Sequence, residues 1–315
     1  MICWGLSYGH HDAAAVILND DRRYGVVHAK RFYSKDITSG DLATLRDTYG
    51  MPDRIYVHEN KWRDAWRKIK IGDWSRLIPR KMFFPVKPIV GNHHLSHAAA
   101  AFYTSPFQDA LVIVADAIGE LESLAVYRAY TGKLNTKPIY TLKYPHSLGL
   151  FYSYHTALIG LQPNKDENKL MMLSKQSRFY DYDEVLDTIE MSHSSDYSVY
   201  FKCNKNLHRY PKEIVTDPTA QKWIASTVQN VVESYIIQLI SKYIKDRPET
   251  NIVFSGGVAY NTLLCDKITS KFKDSQLYVP SHPGDAGSAY GAILQHTHKH
   301  VKLHNGVMYV EEKVR

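Results

Sequence analysis

The sequence predicts an α/β protein with a duplicated architecture and a ligand held between its two halves. A strand, a polar turn and a returning strand occur near the N-terminus, as predicted strands Ile2–Gly9 and Ala13–Leu18. The same pattern returns about a hundred residues later, as predicted strands Ala110–Ala115 and Ser123–Tyr130. Helical periods and a strand–glycine–helix junction follow, so strands and helices alternate along the chain.

Composition sets the broad class. The 315 residues correspond to one or two domains, and 44% hydrophobic with 23% charged residues is typical of a soluble globular protein. No apolar run reaches membrane-spanning length, and the N-terminus lacks the basic region of a signal peptide. The three cysteines form no C-x-x-C pair, which argues against a zinc knuckle or a disulfide framework and favours a reducing, cytoplasmic setting.

In the first half, a polar turn at His10–Asp12 joins the first two strands, and Tyr24–Arg31 is a third predicted strand. The segment Lys61–Lys87 then holds nine basic residues, two acidic ones, and three of the five tryptophans of the chain, Trp62, Trp66 and Trp74. Basic side chains interleaved with aromatic ones suit phosphate neutralisation and base stacking. The alternative, which the pattern favours, is an amphipathic helix whose tryptophans pack inward while its charged side chains are solvated.

A histidine-bearing helix is predicted within Gly91–Ser105, where an alanine run favours helix. His93 and His97 are four residues apart and therefore lie on one face, where two imidazoles can bind one divalent metal. His94 is rotated off that face, so we expect it to contact a ligand or a metal-bound side chain. The alternative is a histidine-rich helix start that faces solvent.

The second half begins with the turn Asp116–Glu120, where a carboxylate and backbone N–H groups would lie close to a phosphate or its metal. Helices are predicted at Leu148–Leu161 and Thr219–Ile244, and the polar region 178–218 between them is predicted to be an insertion with short strands. These patterns divide the chain into a first lobe (1–104), a second lobe (105–300) and a tail (301–315).

Two glycine-containing junctions close the second half. The buried strand Asn251–Phe254 runs into Gly256 and Gly257, whose backbone N–H groups would meet a phosphate or ribose at the start of a helix, with Asn261 facing the same ligand. Asp285 precedes a helix predicted at Ala289–His298. It is either an N-terminal cap or, with His93 and His97, a third metal ligand.

Taken together, these junctions resemble the carbamoyltransferase family of nodulation and antibiotic O-carbamoylation enzymes. The likeness is to their N-terminal domain, which is similar to the tRNA threonylcarbamoyl-transfer protein. The matching motifs run in family order: G-H-H-D-A-A-A at Gly9–Ala15, H-H-L-S-H-A at His93–Ala98, D-A-I-G-E at Asp116–Glu120, S-L-G-L-F-Y-S at Ser147–Ser153, E-N-K-L-M at Glu167–Met171, S-G-G-V-A-Y-N at Ser255–Asn261, and H-P-G-D-A-G-S-A-Y-G at His282–Gly291.

The resemblance implies a duplicated actin-like, hexokinase-like (ASKHA) fold with a nucleotide between the lobes. It implies a divalent metal, usually iron in relatives and with zinc or manganese as alternatives, bound by His93, His97 and Asp285. It implies a carbamoyl-adenylate, made from carbamoyl phosphate and ATP, whose carbamoyl group passes to an acceptor hydroxyl. His11, steered by Asp12, is the expected group that orients or deprotonates this hydroxyl. The residues expected to bind the adenylate are Asp116, Gly119, Glu120, Lys169, Gly256, Gly257 and Asn261.

Three departures from the family pattern bear on substrate handling. Relatives usually carry a second, adenylate-forming domain, so either a separate adenylate-forming protein is a partner of this chain or its chemistry is lost or altered. A family motif near the first hairpin is altered at Ala29–Ser34, and another at Met172–Ser174. The basic segment suggests a nucleotide or a hydroxymethylated DNA base as the acceptor. The alternatives are a tRNA threonylcarbamoyl-type transferase and a non-catalytic metal- and nucleotide-binding subunit that needs a partner.

Overall fold

The computed structural model describes residues 1–8, 12–19, 24–27, 37–70, 83–192, 199–245, 247 and 250–301, and within them the chain forms two units that are each centred on a mixed β-sheet. The first unit contains β1 (Ile2–Ser7), β2 (Ala14–Asn19), β3 (Tyr24–Val27), α1 (Ser39–Tyr49), β4 (Arg54–Val57), α2 (Lys61–Lys70), β5 (Ile89–Val90) and α3 (His93–Thr104).

The second unit repeats this plan and adds an insertion. It contains β6 (Ala110–Gly119), β7 (Glu122–Tyr130), β8 (Lys133–Leu134), β9 (Tyr140–Lys143), α4 (Leu148–Leu158), α5 (Glu167–Ser174), α6 (Asp183–Leu186), β10 (Ile189–Met191), β11 (Phe201–Cys203), α7 (Pro218–Ile244), β12 (Asn251–Ser255), a 3-10 helix (Gly257–Tyr260), α8 (Thr262–Lys271), β13 (Leu277–Tyr278) and α9 (Asp285–Thr297). Strands β10 and β11 form a separate antiparallel pair within the predicted insertion.

The two sheets share one strand order, which confirms the predicted duplication. In the first sheet the order is β3-β2-β1-β4-β5, with β2 antiparallel to β1 and β4 parallel to it. In the second sheet β7, β6, β12 and β13 follow the same order, with β7 antiparallel to β6 and β12 parallel to it. Residues at or just beyond the carboxyl ends of β4, β6 and β12 line one cavity (Glu59, Ile118 and Gly257), and this end of the strands is where α/β sheets place their ligands.

Helices α3 and α9 lie side by side between the two sheets, where α9 packs on β1 and β2 while α3 packs on β6 and β12. Small residues make this close approach possible. A Cβ atom at Gly291 would lie 1.7 Å from the backbone oxygen of Ser96, and one at Gly5 would lie 2.1 Å from that of Ala289. The alanine run of α3 is buried in the same shared core.

Most predicted elements are confirmed with shifted ends. Helix α7 matches its predicted span, because Asp217 caps it by accepting from the backbone N–H of Ala220 at 2.7 Å. Strand β6 continues through Gly119, so the predicted turn at 116–120 is shorter than expected, and α9 begins at Asp285. The boundaries predicted at residues 104 and 300 stay predictions, and the tail beyond 301 lies outside the described residues.

Among the helices that the structure describes, none combines the length and the apolar character needed to cross a bilayer.

Candidate functional site

The N-terminal turn of α3 places two imidazoles together. The Asn92 side chain caps this helix by accepting from the backbone N–H of Leu95 at 2.9 Å. His93 and His97 then lie one turn apart, with their Nε2 atoms 3.2 Å from each other. Both side chains are 1% exposed, so the alternative of a solvent-facing histidine cluster is wrong. The predicted pairing of the two histidines on one helix face is confirmed.

Two carboxylates face this histidine pair from the second unit. Oδ1 of Asp285 lies 3.1 Å from Nε2 of His97 and 3.5 Å from Nε2 of His93. Asp285 is the first residue of α9, and the N-cap position is occupied by Gly284, so the alternative in which Asp285 is the N-terminal cap is wrong. Oδ2 of Asp116 lies 3.3 Å from both Nε2 atoms. One ligand atom from each of these four residues lies within 4.8 Å of the others.

Asp116 reaches this position through an irregularity in β6. The pairing of β6 with β7 shifts register between Ala115 and Gly119, as at a β-bulge, and such a bulge redirects a side chain out of the regular alternation. The side chain is steadied by the backbone N–H of Ala117, which donates to Oδ1 at 2.7 Å. From the sequence, Asp116 could contact either a phosphate or the metal bound to that phosphate. The structure places it beside the histidine pair.

Hydrogen bonds at the far side of each ring define the tautomers. Nδ1 of His97 lies 3.1 Å from the backbone oxygen of Pro283, which can only accept, and Nδ1 of His93 lies 3.0 Å from a carboxylate oxygen of Glu59. Each Nδ1 therefore donates, so in the neutral form of each ring the proton is on Nδ1 and the Nε2 lone pair points toward the two aspartates. Four acceptor groups that converge in this way repel one another unless a cation lies among them. The donor set thus fits a divalent metal such as Fe²⁺, Mn²⁺ or Zn²⁺.

The electrostatics of the cluster also favour positive charge at its centre. Burial alone would lower the pKa of His93 and His97, but hydrogen bonds to neighbouring carboxylates outweigh it and raise both. Burial alone would raise the pKa of Asp116, but hydrogen bonds from both rings bring it well below its usual range. Nearby, burial lowers the pKa of His94 to about 3, so this ring is neutral. The predicted contact of His94 with a ligand stays a prediction.

A cavity of about 630 Å³ opens from this cluster into the cleft. Asp116 and Asp285 form one part of its wall, and Lys68 of the first unit and Lys165 of the second contribute cationic side chains. The insertion supplies His208 and Tyr210. Lys68 belongs to the basic segment that the sequence singled out, but the sequence did not point to Lys165, His208 or Tyr210. The lysines come from different units, and the role of the insertion is visible only in the folded chain.

The residues predicted to bind a nucleotide fall into two groups. Asp116, Glu120, Gly257 and Asn261 line the cavity. The other three make contacts elsewhere. Gly119 lies against the ring of His93, and Gly256, whose φ is +89°, lies against the backbone of Ala115. Lys169 forms an ion pair with Asp166 at 2.9 Å. Nucleotide binding by both groups stays a prediction. Of the predicted catalytic pair, Asp12 lines the cavity and His11 lies outside the described residues.

The sequence also did not identify Glu59 as a residue of the site. It lies two residues beyond the end of β4, at the carboxyl end of a strand parallel to β1, and it is 2% exposed. The signal that could have found it is a buried strand that runs into ionisable residues at the edge where ligands bind.

The tryptophans of α2 lie on the outside of the protein. Trp62 is 71% exposed and Trp66 is 55% exposed, so the interpretation that they pack inward is wrong for these two. The helix turns Ala65 toward the protein instead, and Ala65 is 6% exposed. Trp74 lies outside the described residues.

Comparison with known proteins identifies the group to which this chain is similar. An uncharacterized protein of Methanocaldococcus jannaschii is 34% identical over 313 residues, an alignment that covers 92% of this chain and 56% of that protein. The nodulation protein NolO of Bradyrhizobium diazoefficiens is 26% identical over 211 residues, which cover 64% of this chain and 37% of NolO. The chain thus spans roughly half, or less, of the length of these relatives.

Among solved structures, the activator of the 2-hydroxyisocaproyl-CoA dehydratase from Clostridium difficile, determined with bound ADPNP, has a TM-score of 0.50 and 16% identity over 93% of each chain. That likeness, with the repeated strand order, confirms the actin-like (ASKHA) fold. Residues 47–294 match the family described as carbamoyltransferase N-terminus. The chain therefore belongs to the carbamoyltransferase N-terminus family.

Proposed function

We propose that this protein transfers a carbamoyl group from carbamoyl-adenylate, which is formed from carbamoyl phosphate and ATP, to an acceptor hydroxyl. The observation that carries the proposal is the four-residue donor set of two histidines and two aspartates at the wall of a 630 Å³ cleft cavity. Membership of the carbamoyltransferase N-terminus family supports this reaction class.

The metal would be held by His93, His97, Asp116 and Asp285, and we propose iron, with zinc and manganese as ions that suit the same donors. When bound, it supplies a Lewis acid that polarises the carbonyl or phosphate oxygens of the donor. Elemental analysis of the purified protein tests the site. We expect about one transition metal per chain, lost in His97→Ala. Wild-type protein without metal would contradict the proposed mechanism.

The adenylate is proposed to lie in the cleft cavity. Cations and backbone N–H groups suit its phosphate, and the cavity offers Lys68, Lys165 and the backbone at Gly257. A protein of the same fold was determined with bound ADPNP, which supports a nucleotide in this cleft. During transfer, the acceptor oxygen forms a bond to the carbamoyl carbon while the bond from that carbon to the phosphate oxygen breaks. AMP leaves with the electron pair, and the acceptor proton passes to His11, which Asp12 steers.

We further propose that the acceptor is a nucleotide or a hydroxymethylated base in DNA. Segment Lys61–Lys87 carries nine basic residues against two acidic ones. Trp62 is largely exposed, and Lys68 of the same helix reaches the cavity. Exposed aromatic rings beside cationic side chains are suited to stacking with bases near a phosphate backbone.

A transfer assay tests the activity. The metal-loaded protein is incubated with carbamoyl phosphate and ATP, and in parallel with supplied carbamoyl-adenylate, and each sample receives hydroxymethylated nucleosides or duplex DNA. We expect AMP release together with a product that has gained one carbamoyl group. Transfer only from supplied adenylate would place the donor-forming step on a separate partner protein. Transfer from threonylcarbamoyl-adenylate to tRNA instead would favour the threonylcarbamoyl alternative, and no turnover with any donor would favour a non-catalytic subunit.

DNA affinity tests the acceptor separately. We expect binding that weakens with added salt and with the charge reversals Arg67→Glu and Lys70→Glu. The matched control is Lys273→Glu, which changes an exposed lysine in the turn after α8. Absence of DNA binding at low salt would remove a DNA acceptor and leave the transfer reaction untouched.

A further inference from the structure

Glu59 is a buried carboxylate that contacts His93 on the side of the ring opposite the other residues of the proposed metal cluster. Its side chain is 2% exposed, and Oε2 lies 3.0 Å from Nδ1 of His93. The Nε2 atom of the same ring lies among Asp116, His97 and Asp285. The imidazole of His93 therefore bridges Glu59 and the metal cluster.

The other contacts of Glu59 hold it in place. Its Oε1 accepts from Nζ of Lys61, the first residue of α2, and its Oε2 lies 3.6 Å from Nε2 of His58. Lys61 is itself held against the ring of Tyr8, with Nζ 5.1 Å from the ring centroid. The ammonium of Lys61 favours the charged form of this buried carboxyl.

The His93 ring is closed in on its other side as well. A Cβ atom at position 119 would lie 2.1 Å from Cδ2 of His93, so the ring fits only because residue 119 is glycine. Gly119 and Glu59 together therefore leave the ring little freedom to turn or slide.

We propose that Glu59 is the positioning residue that orients His93 toward the metal and strengthens it as a metal ligand. The inference rests on the proposed metal site. A carboxylate that accepts from Nδ1–H selects the tautomer with a free Nε2 lone pair and increases the electron density that the ring donates. Among the described residues, His97 has the neutral carbonyl of Pro283 in the corresponding place, at 3.1 Å. The two histidines are thus unequal ligands, and His93 is the stronger one.

The experiment measures Co²⁺ binding by competition with a chelator and by visible absorption, with no carbamoyl substrate present. Glu59→Leu removes the acceptor, and we expect a loss of affinity of about 10- to 100-fold. Glu59→Gln keeps a side-chain oxygen but removes the charge, so we expect a smaller loss together with a shifted Co²⁺ absorption band. Circular dichroism of the metal-free variants establishes that each one folds.

Two further variants separate positioning from a structural role. Lys61→Arg keeps a cation beside Glu59 and leaves the contact between Glu59 and His93, so we expect Co²⁺ affinity within about threefold of wild type. In the double variant Glu59→Leu/His93→Ala, the Glu59 change should have no further effect, because it acts through the ring that is gone.

The outcomes distinguish this inference from the proposed function. Wild-type affinity in Glu59→Leu, or a full Glu59 effect that persists without His93, would overturn the positioning role. Failure of the wild-type protein to bind Co²⁺ would instead refute the metal site on which the proposed function depends.

Discussion

Replacing Gly119 with alanine is expected to disrupt the proposed metal site through one methyl group. The added Cβ would lie 2.1 Å from Cδ2 and 2.6 Å from Cγ of His93, whereas ordinary contact begins near 3.4 Å. The ring would have to retreat by about 1.3 Å, the difference between 3.4 and 2.1 Å. Glu59 holds Nδ1 at 3.0 Å and Asp116 holds Nε2 at 3.3 Å, so this movement breaks at least one of the two contacts.

A displacement of that size exceeds the roughly 0.5 Å within which a metal ligand must be held. We expect metal affinity to fall by about 100-fold, the upper end of the cost of losing a supporting contact. Stability should fall by about 1–3 kcal/mol, as is typical of an overpacked site. Metal titration measures the first effect, and urea unfolding of the metal-free protein measures the second.

The matched control is Gly40→Ala in α1, where a Cβ would lie 3.6 Å from Oγ1 of Thr38, an ordinary contact. This change should leave metal affinity unaltered and stabilise the fold by up to about 1 kcal/mol, because alanine restricts the unfolded chain. Wild-type metal affinity in Gly119→Ala, with the fold intact, would show that the His93 ring is not confined as we reason.

Three further changes test other parts of the molecule. Asp116→Asn should strongly reduce metal content in elemental analysis, whereas unchanged content would restrict Asp116 to nucleotide binding. Burial lowers the pKa of His155 to about 4 from the usual 6.5, so the unfolded chain binds a proton between these values that the folded chain does not. The free energy of unfolding should therefore fall by on the order of 3 kcal/mol as the pH drops from 6.5 to 4 because of this group. Urea titrations at several pH values should show that His155→Leu lacks this part of the pH dependence. An unchanged slope in that variant would contradict the reasoning. Gly291→Ala forces a Cβ to 1.7 Å from the backbone oxygen of Ser96 and should cost about 3 kcal/mol of stability, while no loss in urea unfolding would show that α3 and α9 separate easily.

Much of the fold could be predicted because its signals are local. The apolar runs of β1, β2 and β6, the long period of α7 and the spacing of His93 and His97 are all visible within short windows. The same holds for Asp285, which stands next to the small residues that begin α9. These patterns are the ones that strand alternation and helical periodicity determine directly.

The direction in which α2 packs could not be predicted. Its sequence offers an apolar stripe at Trp62, Trp66 and Ile69, and burying the larger apolar face is the usual expectation. The folded chain instead buries Ala65 and leaves the two tryptophans exposed. Periodicity shows that a helix has two faces, but only the surface on which it packs decides which face is covered.

By itself, the sequence determined the duplicated α/β plan and the placement of His93 and His97 on one helix face, since both follow from residue spacing. The sequence offered Asp285 as one of two alternatives, and only the tertiary structure decided which carboxylates lie beside the histidine pair. Asp116 enters through a bulge in β6, Glu59 arrives at the end of β4, and Asp285 begins a helix almost two hundred residues beyond His93. Because these residues meet where two separate sheets face one cleft, their proximity depends on how the two units pack, which no local pattern specifies.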